Sequence, residues 1–229
     1  MCEAGSVSSS RKQLMIVKSQ EEVRDEFHRM YYNSEVWNGG RTSYFGVTLA
    51  KCPLDLWIYQ ELIYRVKPRV IIETGTWYGG SAYFLAVTAG LARIEDPMVI
   101  TIDIAPCVRI EHPTIFQLTA SSTSPEAFEV CKEEIAKRPG PVMVILDSDH
   151  HKEHVLTEME MYAPLVTLGS YLIVEDTNIN GHPAYSEYGP GPYEAVQEFL
   201  PLHEEFEVDM ECEKFGLTMN PSGYLKRIA

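Results

Sequence analysis

RVIIETGTWYGGSAYFL, residues 69–85, is the stretch on which the reading of the fold turns. Val70, Ile71 and Ile72 make a short β-branched run of the kind that fills a central parallel strand buried on both faces. Glu73-Thr74-Gly75 stands where such a strand would end, and Gly79-Gly80-Ser81 leads into an apolar segment that reads as a helix. Strand, glycine turn and helix in that order form either an ordinary βα connection or the floor of a nucleotide-type site. In the second case the glycines let the backbone approach a ligand, and the acid at the strand tip accepts hydrogen bonds from it. The spacing is not the three-glycine GxGxxG dinucleotide fingerprint, because Thr76, Trp77 and Tyr78 separate Gly75 from the next glycine. Glu73 would also repel a phosphate. A cationic or neutral ligand with a ribose and an amino-acid tail suits these residues better than NAD.

Outward from this stretch, apolar runs at 98–103, 114–118, 142–147 and 169–176 read as further strands, and 204–211 and 223–228 as a closing antiparallel hairpin. Helical patterns at about 20–32, 53–67, 79–90, 125–137, 151–163 and 191–200 separate or precede them. Strands alternating with helices of about a dozen residues mean βαβ units with right-handed crossovers. The expected fold is α/β, a single Rossmann-like domain with a mostly parallel seven-stranded sheet, a C-terminal hairpin and helices on both faces. Residues 1–13 are expected to be a disordered polar tail. Residues 14–68 carry N-terminal helices and an aromatic segment, and 69–229 form the ligand-binding domain.

Composition limits the function. The 229 residues suffice for one sizeable domain, and 45% hydrophobic content supports a core. With 33 acidic against 19 basic side chains the net charge is −14, which disfavours nucleic acid and anionic membranes as partners. No run of 18 apolar residues suggests a membrane span, and the N-terminus lacks an apolar signal core. Five scattered cysteines without a CxxC pair suit reduced thiols in a cytoplasmic protein. A small-molecule substrate is expected.

The acids mark the site. Glu73, Asp103, Asp147 and the Glu175-Asp176 pair stand at or just before strand ends, where an open parallel sheet binds its ligands. Asp103 is placed for a ribose diol; Glu73 and Asp147 would meet a cationic amine or orient the turn. Asp149, Glu175 and Asp176 form a second group that would need a cation to converge, and oxygen-only ligands point to Mg²⁺. In DSDHHKEH, residues 147–154, three histidines and a lysine admit three readings. Lys152 or His150 is a general base beside the cation, or these residues cap a helix, or His150 and His154 bind zinc from one helix face. The aromatic, glycine-rich segment 37–45 reads as a lid over the site or a subunit contact. Trp37 and Tyr44 in it, with His182 and Tyr185 after the fifth strand, are the candidate substrate contacts.

Taken together, ETG-x-x-x-GGSA, the strand ending in Asp103, ILDSDH and YLIVEDT resemble the class I S-adenosylmethionine-dependent methyltransferases. More closely, they are similar to the cephalosporin hydroxylase and rhamnosyl O-methyltransferase family over roughly residues 35–228. The resemblance implies a Mg²⁺-assisted O-methyltransferase acting on a hydroxyl of a phenolic, sugar-bearing or antibiotic-like natural product. It places Glu73, Gly75 and Ser81 at the methionine part of the cofactor, Asp103 at the ribose, Ser122 beside adenine and Asp147 at the methionine end. It assigns Asp149, Glu175 and Asp176 to Mg²⁺ and sets Lys152 where catechol O-methyltransferase has a lysine. It also suggests a homo-oligomer. An NAD-dependent oxidoreductase and a non-catalytic partner subunit are the alternative readings.

Overall fold

The computed structural model describes residues 18–38 and 40–229, so the polar segment 1–13 lies outside the described residues. Its strands are β1 (Ser43–Tyr44), β2 (Val47–Thr48), β3 (Val70–Thr74), β4 (Met98–Asp103), β5 (Ile115–Thr119), β6 (Val142–Leu146), β7 (Tyr171–Val174), β8 (Phe206–Val208) and β9 (Tyr224–Arg227). Its α-helices are α1 (Gln20–Tyr32), α2 (Glu35–Asn38), α3 (Pro53–Val66), α4 (Gly80–Leu91), α5 (Pro125–Lys137), α6 (Lys152–Tyr162) and α7 (Pro192–Phe199).

The main sheet runs β5-β4-β3-β6-β7-β9-β8. The first five of these strands are parallel, whereas β9 pairs antiparallel with both β7 and β8. This is the expected Rossmann-like α/β domain with seven strands and a C-terminal hairpin. Chain order reverses between β3 and β6: β4 and β5 build outward on one side, and β6 returns to the other. That switch point opens a crevice at the strands' carboxyl ends.

The two-residue period of the strands divides the core. Val70, Ile72, Ile100, Val144 and Leu172 face α5, α6 and α7 through Ala127, Met159, Tyr162 and Phe199. Ile71, Val99, Met143, Ile145 and Ile173 face α3 and α4 through Ile58, Leu62, Ala82 and Leu85. Burying each such aliphatic side chain contributes about 1.5–3 kcal/mol, which is why the β-branched runs dictate the sheet. Pro53 at the first turn of α3 and Ser124 capping α5 through the Ala127 N–H set where those helices begin.

Two features of the N-terminal segment go beyond what its sequence pattern specifies. The periodic apolar residues of α1, Val23, Phe27 and Met30, are 53%, 46% and 63% exposed, and the helix buries His28 instead. Burial lowers the His28 pKa to about 4, so its neutral Nε2 accepts from Asn178 Nδ2 at 2.9 Å. The segment 37–45 holds regular structure as well. α2 carries Trp37, and β1 pairs with β2 around Phe45-Gly46, both at positive φ, as a two-residue hairpin turn requires.

Candidate active site

Gly75 is the hinge between strand and cleft. Its φ is +87°, and a Cβ there would lie 1.9 Å from the Asp147 carbonyl oxygen, so only glycine lets the tips of β3 and β6 close together. Gly80 is under a similar constraint, since its Cβ would lie 2.2 Å from the Thr48 carbonyl oxygen. The turn is held from within. Asp103 Oδ2 accepts the N–H groups of Thr76 and Trp77 at 3.0 and 2.9 Å, and Oδ1 accepts that of Ala105 at 2.8 Å.

A cleft of about 630 Å³ opens above this turn, a size ordinary for a cofactor or small-molecule site. Gly75, Trp77, Asp103 and Ile104 line one end. Ser121, Ser122, Ser148 and His154 line a second wall; Asp147, Asp149, His150 and Asp176 line a third, and Trp37 is also a lining residue. Trp37 packs against Tyr31 and Tyr32 of α1, with ring centroids 5.9 and 6.1 Å away, so the N-terminal helix supports this part of the cleft.

The charged floor centres on a residue the motifs did not single out. Lys51, 4% exposed, pairs with Asp147 Oδ2 and lies 2.6 Å from Glu175 Oε1. Burial opposes its charge, but Asp147, Glu175 and Glu73 outweigh burial and raise its pKa. Glu73 is fully buried beneath the floor, accepting from Thr101 Oγ1 at 2.6 Å and from Ser81. Burial raises its pKa to about 7 against the pull of Lys51. Glu73 is thus buried beneath the floor, whereas half-buried Ser81 lines a small adjoining cavity with Gly75, Thr76 and Asp147, and Asp103 braces the turn.

Asp147, His150 and Asp176 converge, each offering a ligand atom within 4.8 Å of the others. His150 Nε2 lies 3.1 Å from Asp176 Oδ2 and 4.0 Å from Asp147 Oδ1. Burial disfavours the charged imidazole, but the two aspartates prevail and raise its pKa to about 9. Of the expected triad, Asp149 and Asp176 both line the cleft, with Asp176 in the convergent group. Glu175 turns under the floor to Lys51, and Asp149 accepts from the backbone and Nδ1 of His151 at 2.8 and 2.6 Å. Both Glu175 and Asp176 lie past the end of β7, and Asp176 takes a left-handed backbone conformation at φ +54°, which turns its carboxylate away from that of Glu175.

The other candidates separate cleanly. Lys152 pairs with Glu198 of α7 at 2.5 Å and does not line the cleft, whereas His150 does. His150 and His154 diverge, one toward Asp176 and the other toward Glu158, which removes a shared zinc site. Ser122 lines the cleft and lies 3.3 Å from His154 Nε2. Tyr44 is not at the cleft but packs on Phe84, with centroids 5.1 Å apart, in a separate apolar cavity of about 420 Å³. His182 stacks on Tyr193 and bonds Glu194 at 3.0 Å, and Tyr185 packs against Tyr188. Of the four substrate candidates, Trp37 alone lines the cleft.

A doubly wound sheet with a glycine hinge, an acid-braced turn and a crevice at the switch point defines a Rossmann-like domain with a nucleotide-type cleft. Residues 36–228 match the family model described as Rhamnosyl O-methyltransferase/CmcI, and the chain belongs to that family. It is 39% identical over 221 residues to the rhamnosyl O-methyltransferase of Mycobacterium tuberculosis (strain H37Rv), covering 93% of this chain and 88% of that protein. The Mycobacterium leprae protein of the same name is 37% identical over 222 residues, covering 93% and 94%. Among solved structures, apo CmcI aligns with a TM-score of 0.65 at 21% identity, over 83% of this chain and 77% of that one. CmcI bound to Mg and SAM aligns with a TM-score of 0.64 at 21% identity, over 83% and 78%.

Proposed function

We propose that this chain is an S-adenosylmethionine-dependent, Mg²⁺-assisted O-methyltransferase whose acceptor is a sugar hydroxyl of a glycosylated natural product. The observation that carries this reading is the convergence of Asp147, His150 and Asp176 on one wall of a cofactor-sized cleft. Family membership and the rhamnosyl O-methyltransferase name of the curated relatives support the sugar acceptor.

The residues fit both groups. Gly75 lets backbone and ligand meet, Asp103 stands at the end suited to a ribose, and Ser122 lies on the wall that would receive the base. Asp147 and Asp176 offer carboxylate oxygens to a hard cation, with Asp149 on the same wall. When bound, S-adenosylmethionine supplies the electrophilic methyl, and Mg²⁺ supplies the charge that makes the acceptor hydroxyl more acidic. His150 is the proton acceptor at Nε2, and the two aspartates that raise its pKa in the protein alone are those a cation would engage. With those aspartates engaged by a cation, His150 Nε2 would hold its proton less tightly and could serve as the base. Trp37, an indole lining the cleft, would help exclude water while Asp103 keeps the turn in place.

The assembly is a homo-oligomer in this reading, joined through the N-terminal region, where Val23, Phe27 and Met30 leave an apolar stripe uncovered. No helix among the described residues is long and apolar enough to cross a membrane. The reduced thiols Cys52, Cys107, Cys131 and Cys212 suit a cytoplasmic setting. The test is calorimetric titration with S-adenosylhomocysteine and Mg²⁺, followed by methyl transfer to rhamnosyl glycosides read by mass spectrometry. Saturable binding of both and a gain of one methyl group on the sugar are expected. NAD⁺ binding in place of S-adenosylhomocysteine would overturn the proposal.

A further inference from the structure

The wall formed by Ser122, Ser148 and His154 holds a polar cluster that neither the floor nor the cation-side residues explain. Its innermost member is Glu158, on α6 one turn after His154 and fully buried. Ser148 Oγ donates to Glu158 Oε1 at 2.7 Å, and His154 Nε2 lies 3.4 Å from the same oxygen. His154 Nε2 is also 3.1 Å from Ser148 Oγ and 3.3 Å from Ser122 Oγ. Glu158 Oε2 is buried with no hydrogen-bond partner among the described residues. Ser148, Ser122 and His154 line the cleft in front of it.

The arrangement is not a nucleophilic triad. One imidazole nitrogen faces both the serine and the carboxylate, whereas a triad needs a different nitrogen for each. Its chemistry is directional instead. A carboxylate only accepts hydrogen bonds, so Glu158 takes the hydroxyl hydrogen of Ser148 and favours the histidine tautomer with hydrogen on Nε2. The contact with Glu158 raises the His154 pKa, in keeping with that direction. With its hydrogen committed inward, Ser148 presents lone pairs to the cleft.

We propose that Glu158, acting through Ser148 and His154, makes this wall a hydrogen-bond acceptor and so selects a purine bearing an exocyclic amine over one bearing an exocyclic carbonyl. The inference rests on the cofactor reading above and adds to it the group that reads the base. An adenine amine donates to the Ser148 oxygen. A hypoxanthine carbonyl would set acceptor against acceptor and leave both unpaired in a partly buried site, a mismatch that costs more than a hydrogen bond is worth. Ile104, exposed beside Asp103 at the neighbouring end of the cleft, gives the flat base an apolar surface. Glu158 is a positioning residue, because it reaches the ligand only through the serine and the histidine.

The test compares S-adenosylhomocysteine with S-inosylhomocysteine by calorimetry on the full chain, with Mn²⁺ binding measured in parallel. The wild type is expected to prefer the adenosyl compound by about tenfold or more. In Glu158→Gln the amide can donate, Ser148 is free to turn its hydrogen outward, and the preference should shrink severalfold while Mn²⁺ affinity holds. Ser148→Ala, which removes the acceptor without placing a new group in the core, should shrink it as well. An unchanged preference in both variants, or none in the wild type, would overturn the assignment while leaving the cofactor reading intact. Failure of both compounds to bind the wild type would overturn the two together.

Discussion

The ammonium of Lys51 lies 2.6 Å from the Glu175 carboxylate and also pairs with Asp147, joining the segment before α3 to the tips of β6 and β7. One buried cation thus serves two carboxylates on separate strands, with a third, Glu73, close enough to raise its pKa. Lys51→Met leaves those charges without a partner and should destabilise the fold by about 3–5 kcal/mol, as breaking a buried ion pair does. Lys51→Arg keeps the charge and should recover part of the loss. Urea denaturation of both variants measures it, and equal stability of Lys51→Met and wild type would contradict the role.

Gly75→Ala should be far more harmful than a methyl group suggests. The left-handed backbone alone costs a non-glycine residue about 1–3 kcal/mol, and the clash with the Asp147 carbonyl oxygen adds to it. Separating the tips of β3 and β6 also deforms the cleft. S-adenosylhomocysteine affinity and the urea midpoint should therefore fall together, with Gly90→Ala, where a Cβ meets nothing within 4 Å, as the mild control.

His150 and Lys152, two residues apart, should differ sharply. His150→Gln removes the proposed base and should lower turnover by about 10²–10⁴-fold. Lys152→Met, which breaks the contact to Glu198, should leave turnover within a few fold. Single-turnover kinetics with a rhamnosyl acceptor decides between them, and the opposite order would move the base to Lys152.

Without divalent cation, stability should fall as pH rises from about 5 to 9. His150 carries a pKa raised to about 9, so its contribution is complete below the unfolded value near 6.5 and is lost as pH rises through 9. Glu73 acts in the same direction. Burial raises its pKa to about 7, and the cost of its charge, absent below the unfolded value near 4.5, develops as pH climbs to 7. Glu175, also raised by burial despite Lys51, adds to the slope. Thermal melts across this range should show a declining midpoint, and Mg²⁺ should recover part of it on the alkaline side. A midpoint that rises with pH would refute the assignment of these groups.

Periodicity made much of this legible. The β-branched runs around Ile72 and Val144 and the helical spacing between them led to the sheet, and acids at strand ends led to its working edge. Glu175 and Asp176 are adjacent in sequence, but the left-handed turn at Asp176 that sends one to Lys51 and the other to His150 left no mark in the sequence. Lys51 left no local trace, because a lysine in a short loop before a proline looks solvated until strands distant in sequence supply its partners. Glu158 was hidden differently: one acid in an acid-rich helix resembles a surface residue, and its burial follows only from how α6 packs. The apolar spacing of α1 indicated the helix but carried no orientation, which the contact of His28 with Asn178 settles.

The close fit of Gly80 against Thr48, and of Lys51 into the floor, has an evolutionary consequence. The chain before residue 69 carries both a lining residue of the cleft, at Trp37, and a strut within it, at Lys51. The two lie on one continuous segment. Exchanging this segment between relatives by recombination would import a foreign strut along with a new lining residue. Any such exchange would therefore alter the charge balance of the floor, through Lys51, as well as the lining of the cleft.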